Sequence, residues 1–496
     1  MMVPLVRCLL AGLVLVTGAV PAAAQGLDAG CAAAPTAACV LAMAHAAARS
    51  ETGPGDRDVA LMRVSQAYAR LGDAQAISEI LVSMRPGERA DLVRSDLAHV
   101  LAVQGDALGA FGAVAGMETG WRREAAFAEI AGLLAAQGRR AEVEALGAAY
   151  AVSGANGPVR RGLLTAALGD GDLVQADALL AAMGPDDRAW FLPEVVAAYR
   201  AAGDSAAASR LAAEASASGD TLDALRLFVA DQQTDAAGAL LRRLAAAQGP
   251  LADALAVVVS GPQGDEFADL ALTVAAENVE ALGRAGYVLA ANGHFTAARR
   301  VADRLGALQA PNGDATAAEA QLGVLWAIVN TMQAVGDADG ALAGLTAIRQ
   351  VAYTPLDNPF PDPLPRRRVE ILISAGRVAE ARTALAQVLD PFERAAAAMA
   401  MARSGATDAA ADRGLLAEAA AAVSAVREVP DGFGGTQDAG VPVVGALSGI
   451  AGVAAELELE TAPALAVDAL SRIETLPEAS MRAWTLAELA AALIPR

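Results

Sequence analysis

The stretch Ser65–Leu81, "SQAYARLGDAQAISEIL", reads as two helices joined by a turn of two residues. Gly72 is free to take the left-handed backbone that a Cβ makes costly, which closes the first helix. Asp73 then offers a side-chain oxygen to the unpaired N–H groups that open the second. So short a turn makes the two helices antiparallel neighbours. Val64 and Tyr68, eight and four residues before Gly72, mark one apolar helical face.

The same glycine returns at Gly105, Gly138, Gly171 and Gly203. A period of about 33 residues is the mark of stacked helical repeats. Aspartate follows again at Gly105-Asp106, Gly171-Asp172, Gly203-Asp204 and Gly336-Asp337. Arginine or histidine follows at Gly138-Arg139, Gly376-Arg377 and Gly293-His294, where solvent exposure accounts for His294. Leu97 and Leu101 before Gly105, and Ile130 and Leu134 before Gly138, repeat the apolar face. Five residues past the turn stand Ala110, Ala176, Ala208, Ala298, Ala341 and Ala381, small enough to let two helices close up. Seven places further on, Met84, Met117, Tyr150 and Met183 read as core fillers rather than ligands.

The rhythm lapses between Gly203 and Gly293, a span that fits three units, with turns expected near Thr234 and Gly264. Two insertions follow. "YTPLDNPFPDPLP", Tyr353–Pro365, carries five prolines and is expected as an extended loop off one edge of the stack. "VPDGFGGTQDAGVP", Val429–Pro442, is expected as a second loop. The chain thus divides into a leader 1–24, an N-terminal helical cap 25–55, repeats 56–428 with the proline-rich loop within 351–365, a loop 429–442 and a C-terminal helical cap 443–496. The expected fold is all-α, a right-handed solenoid of about 11–12 helix pairs whose end units differ because one face lacks a neighbour.

Ala67–Asp73, "AYARLGD", resembles the end of the first helix of the tetratricopeptide repeat, with Tyr68 at its aromatic position. Tyr199 in "AAYRAAGD" matches again, Gly286 in "GRAGYVLAANGHFTAARR" matches its small residue, and the alanines five beyond the turn match the first alanine of its second helix. The resemblance covers residues 56 to 405, without the family's tryptophan or, in most units, its closing proline. It implies a protein-interaction scaffold and no chemistry.

Arg7, the apolar run Leu9–Val20 and the small residues before Gln25 read as an export leader cut between Ala24 and Gln25. An apolar run of about a dozen residues falls short of the roughly 20 that span a membrane. A lipoprotein cut needs a cysteine there, and Cys8 comes too early while Cys31 lies beyond the run. Cys31 and Cys39 are then the only cysteines left, and an oxidising compartment favours a disulfide between them over a metal site, for which only His45 lies nearby. Every one of the 37 basic residues is arginine, which with abundant alanine and glycine suggests a GC-rich bacterium and hence the periplasm or secretion. The chain carries −20, or −21 once Arg7 is removed. This acidity is expected to exclude a nucleic-acid partner, and no span is expected after leader cleavage.

The sequence holds no catalytic constellation. Without lysine there is no Walker loop and no Schiff base. His45, His99 and His294 stand apart, "GDGDLVQAD" lacks the ligand order of a calcium loop, and "DGFGGTQ" lacks a flanking strand and helix. No cofactor or metal is expected. The reading is a non-enzymatic periplasmic scaffold for a protein or peptide, the alternatives being an accessory superstructure of a cell-envelope enzyme system or an enzyme whose site is spread over several repeats. The first helix of each pair is expected to line the concave side, presenting Arg63, Gln66, Arg70, Arg94 and His99 to an acidic segment of the partner. The proline-rich loop is the rival contact point.

Overall fold

The computed structural model describes residues 29–154, 156–217, 222, 225, 228–229, 234–247, 249–261, 263–312, 315–352, 362–430 and 436–494. The leader and its cut at Ala24 and Gln25 lie outside them. The chain is an all-α solenoid of antiparallel helix pairs.

The repeat turns have the expected geometry. Gly72, Gly105, Gly138, Gly171, Gly203, Gly293, Gly336 and Gly376 all take φ between 70° and 84°. The five aspartates that follow turn glycines, Asp73, Asp106, Asp172, Asp204 and Asp337, each accept a backbone N–H three residues on, at 2.9–3.1 Å. Ala110, Ala176, Ala208, Ala298, Ala341 and Ala381 are all buried, as are Met84 and Met117. A Cβ at Gly286 would lie 2.7 Å from Val324 and 2.9 Å from Val301, so three helices meet where the sequence keeps its small residue. In the irregular middle, Thr234 and Gly264 each open a helix, Thr234–Ala246 and Gly264–Ala275.

The first helices of successive pairs pack on one another: Pro54–Leu71 on Glu88–Val103, that on Gly120–Ala136, and that on Asn156–Gly169. The second helices, such as Ala74–Ser83 and Ala107–Ala115, spread on the outside. Side chains of one turn reach the carbonyls of the turn before: Gln104 Nε2 donates to Gly72 O at 2.6 Å, Arg139 to Gly105 O, and His294 Nε2 lies 3.1 Å from Gly261 O. His294 is thereby half-buried and also faces Asp265 at 3.1 Å, which replaces the expectation of simple solvent exposure.

Where an open stack has two free ends, this one has none. The last helix, Ala479–Ala492, lies along Ala37–Ser50 and against Pro54–Leu71, with Gly440–Glu456 on its other side. Val40, Leu41, Leu61 and Val64 share one core with Leu447, Ile450, Leu486 and Leu489. The Ser480 N–H donates to Glu51 Oε2 at 2.9 Å, and Gly452 sits so close to Ala492 that a Cβ there would lie 2.8 Å from its carbonyl oxygen. The described parts of the two segments expected as caps, 29–55 and 443–494, form one junction. Each end exposes an apolar face, and the hydrophobic gain is made by covering one with the other. A disulfide joins Cys31 to Cys39, tying the short helix Ala29–Ala33 to Ala37–Ser50.

Two loop expectations change. Leu364 and Pro365, the end of the proline-rich run, open the helix Leu364–Ser374, since proline in a first turn lacks only an N–H that has no helical partner anyway. Residues 353–361 lie outside the described ones. Within 429–442, Glu428–Pro430 pairs antiparallel with Thr436–Asp438, and Gly440 already starts the next helix.

Gly105→Val forces a branched side chain into the left-handed region and should cost roughly 1–2 kcal/mol. Gly109→Ala should be neutral to slightly stabilising, by up to about 1 kcal/mol: its equivalents Ala76 and Ala207 carry a Cβ and keep their cap bonds. Denaturant melts of both variants check this, and equal losses at the two sites would contradict the turn assignment.

Candidate functional site

On the inner helices, residues one period apart fall into columns. One column runs Arg63, Asp96, Glu129, Gly162; the next runs Gln66, His99, Gly132, Thr165. The first therefore passes from a cation to two carboxylates to no side chain at all within four units. Successive helices are cross-linked along these columns: Ser65 Oγ lies 3.1 Å from Asp96 Oδ2, and His99 Nδ1 lies 3.0 Å from Glu129 Oε1.

Arg63, Gln66 and Arg70 come together on the wall of a cavity of about 620 Å³ at the junction of the two chain ends, facing Trp484, Arg403, Glu456 and Glu488. The Arg63 guanidinium stands 5.6 Å from the Trp484 ring centre and reaches Gln66 Oε1 at 3.3 Å. Arg403 is held by Glu456 at 2.9 Å. His99 is brought instead to Glu129, one helix away.

Arg94 joins neither group. Its side chain is 20% exposed and donates to Asp91 Oδ1 at 2.9 Å. That buried carboxylate also accepts the N–H groups of Glu118 at 3.1 Å and Thr119 at 2.8 Å. Burial opposes its charge, but these donors outweigh burial and hold the Asp91 carboxyl below its ordinary range. Arg94 thus braces Asp91, the carboxylate that caps the entry to the helix Gly120–Ala136, and stands apart from the other residues of that expectation. The acids of "GDGDLVQAD" are likewise structural: Asp170 and Asp172 hold Arg140, and Asp177 holds Arg210 at 2.8 Å.

A second inner hollow, of about 920 Å³, was not legible in the sequence. Trp121, Leu133 and Phe191 supply its apolar lining, and Glu124, Glu129, Arg161 and Asp187 its charges. Its floor is bare because two glycines touch: a Cβ at Gly162 would overlap the Ala128 carbonyl and lie 2.7 Å from Gly132 N. Trp121 is 65% exposed, with the Arg122 guanidinium 4.4 Å from its ring centre and paired with Glu88. Its one sequence signal is a tryptophan in a chain with only 4% aromatic residues.

Between the two hollows, burial pushes the Asp96 carboxyl up to about 6, against the Ser65 hydroxyl and His99, which favour its charge. Ser65 Oγ also lies 2.9 Å from Met62 O, and one hydroxyl proton cannot serve both acceptors. A protonated Asp96 donates to Ser65 and satisfies the set. Among the described residues no group of three or more metal-ligating side chains is assembled, and no helix is long and apolar enough to cross a membrane.

No protein-family profile matches the chain, and no curated protein sequence matches it. Among solved structures, it is similar to the pentatricopeptide repeat protein PPR10 in complex with an 18-nt psaJ RNA element, at 14% identity and a TM-score of 0.27, covering 89% of this chain and 72% of that one. It is also similar to a circular tandem repeat protein with novel repeat topology, at 13% identity and a TM-score of 0.11, over 88% of this chain and 84% of that one. The protein is a helical-repeat protein of the solenoid class. One expectation is corrected: a nucleic-acid partner is not excluded by net acidity, since a helical-repeat stack is solved on RNA. Net charge sums over the whole surface, whereas a partner meets only the side chains of one face.

The Asp96 carboxyl binds its proton more tightly folded than unfolded. Stability should therefore fall as pH rises from about 4 to about 6, and the deficit persists above that. Asp96→Asn offers Ser65 an amide N–H donor without a charge and should flatten that slope, adding roughly 1–2 kcal/mol at pH 7 after allowance for partial exposure. Thermal melts of both proteins from pH 4 to pH 7 check this.

Proposed function

We propose that the protein is a non-catalytic scaffold of the exported compartment, a divergent relative of the tetratricopeptide repeat that holds a protein or peptide segment on its inner face. The observation that carries this reading is the pair of inner hollows, each with a tryptophan kept partly in solvent: Trp121 at 65% and Trp484 at 40% exposure. Burying a tryptophan against its own chain is favourable, and tryptophan is among the residues enriched in binding hot spots. The export leader, the Cys31–Cys39 bond and a lysine-free composition support a periplasmic or secreted location.

The test is site-directed photo-cross-linking in cells. A photoreactive residue at Trp121 or Trp484 should give discrete, protease-sensitive adducts, and one at Val82 on the outer helix, 87% exposed, should give none. Equal adducts at Val82, or inner-face adducts removed by ribonuclease rather than protease, would sink the proposal. Export is tested by fractionation: the protein should appear in the periplasm or medium with Cys31 and Cys39 resistant to thiol alkylation.

A further inference from the structure

We infer that the hollow floored by Gly132 and Gly162 takes a basic peptide segment with one large apolar side chain. The inference rests on the scaffold reading and names the partner's chemistry.

The floor is close contact between two helix backbones at Gly132 and Gly162, and the hollow stands open above it. The walls are Trp121, Leu133 and Phe191, an apolar seat for a single large side chain. The charges around that seat are unbalanced. Of the lining, Glu124, Glu129 and Asp187 stand against Arg161, with His99 at 3.0 Å from Glu129, while Glu88 and Arg122 beside Trp121 pair with each other. Arg161 divides itself between Glu124 and Asp187, at 3.6 Å from each, the loose end of ion pairing, so neither carboxylate is fully satisfied. Glu124 and Glu129 also keep more than half of their side-chain surface open to a ligand. Arginine or lysine on either side of the apolar anchor complements this rim.

The junction cavity has the opposite sign. Arg63, Arg70 and Arg403 there face only Glu456 and Glu488. An acidic segment belongs to that cavity and a basic one to the hollow at Trp121, which lets one experiment separate them.

Fluorescence polarisation with short labelled peptides reads this directly. The probes are a phenylalanine flanked by arginines, the same peptide with glutamates for arginines, the same with serine for phenylalanine, and oligouridine RNA. The arginine–phenylalanine peptide should bind, more weakly at high salt. Trp121→Ala, and separately Glu129→Gln with Asp187→Asn, should weaken it about tenfold or more. Trp484→Ala should leave its affinity unchanged. Trp121 is exposed, so the melting temperature of Trp121→Ala should match that of the parent and confirm that folding is not the cause. The inference is overturned if the glutamate peptide or oligouridine binds as tightly and loses that affinity in Trp121→Ala, or if arginine–phenylalanine binding ignores the hollow's substitutions and is mere attraction to an acidic surface. No binding of the arginine–phenylalanine peptide while the inner-face cross-links persist overturns this assignment and leaves the scaffold reading standing. Loss of the cross-links as well removes both.

Discussion

The regular part of the stack depends on one backbone constraint: at eight of its turns the chain passes through a left-handed conformation that only glycine adopts at no steric cost. Eight glycines do so, with φ confined between 70° and 84°. The next residue then starts a new helix, five times with an aspartate cap. With the turn fixed, each pair is antiparallel, and the alanine five residues on lets its helices close to contact. Everything on the inner face inherits its position from these turns. The columns Arg63–Asp96–Glu129–Gly162 and Gln66–His99–Gly132–Thr165 are in line because the turns that precede and follow them keep one period.

Closure is the second consequence. A repeat stack leaves an apolar face bare at each end, and terminal units usually hide it with polar substitutions. Here the ends hide each other. Ala479–Ala492 fills the space between Gly440–Glu456 and the helices Ala37–Ser50 and Pro54–Leu71, and the close contact at Gly452 lets it settle there. The junction also makes a cavity that neither end has alone, because Arg63 comes from one end of the chain and Trp484 from the other.

What was legible in the sequence was local. Glycine, cap and alanine signal themselves within a short stretch, and all three proved to be where the spacing put them. The charged residues of the inner face were legible only in part. Arg63, Gln66 and Arg70 do face a common cavity, but Arg94 had been read without Asp91, and nothing nearby in sequence tells that Asp91 is buried and needs a cation. The hollow at Trp121 was hidden for a similar reason. Its floor is Gly132 against Gly162, two glycines on different helices that each look like a weak spot when read alone. The pairing of Glu51 with Ser480 has no local signature whatever.

That pairing carries the account's central claim, that the two ends of the stack meet. Spin labels on cysteines introduced at Thr52 and Glu478, beside the Glu51–Ser480 contact, measure it by electron–electron dipolar spectroscopy. The account predicts a single narrow distribution at the short end of the method's range. An open stack, which advances about 8–10 Å for each packed helix layer, would separate the labels several-fold further, and a broad or long distribution would contradict the closure.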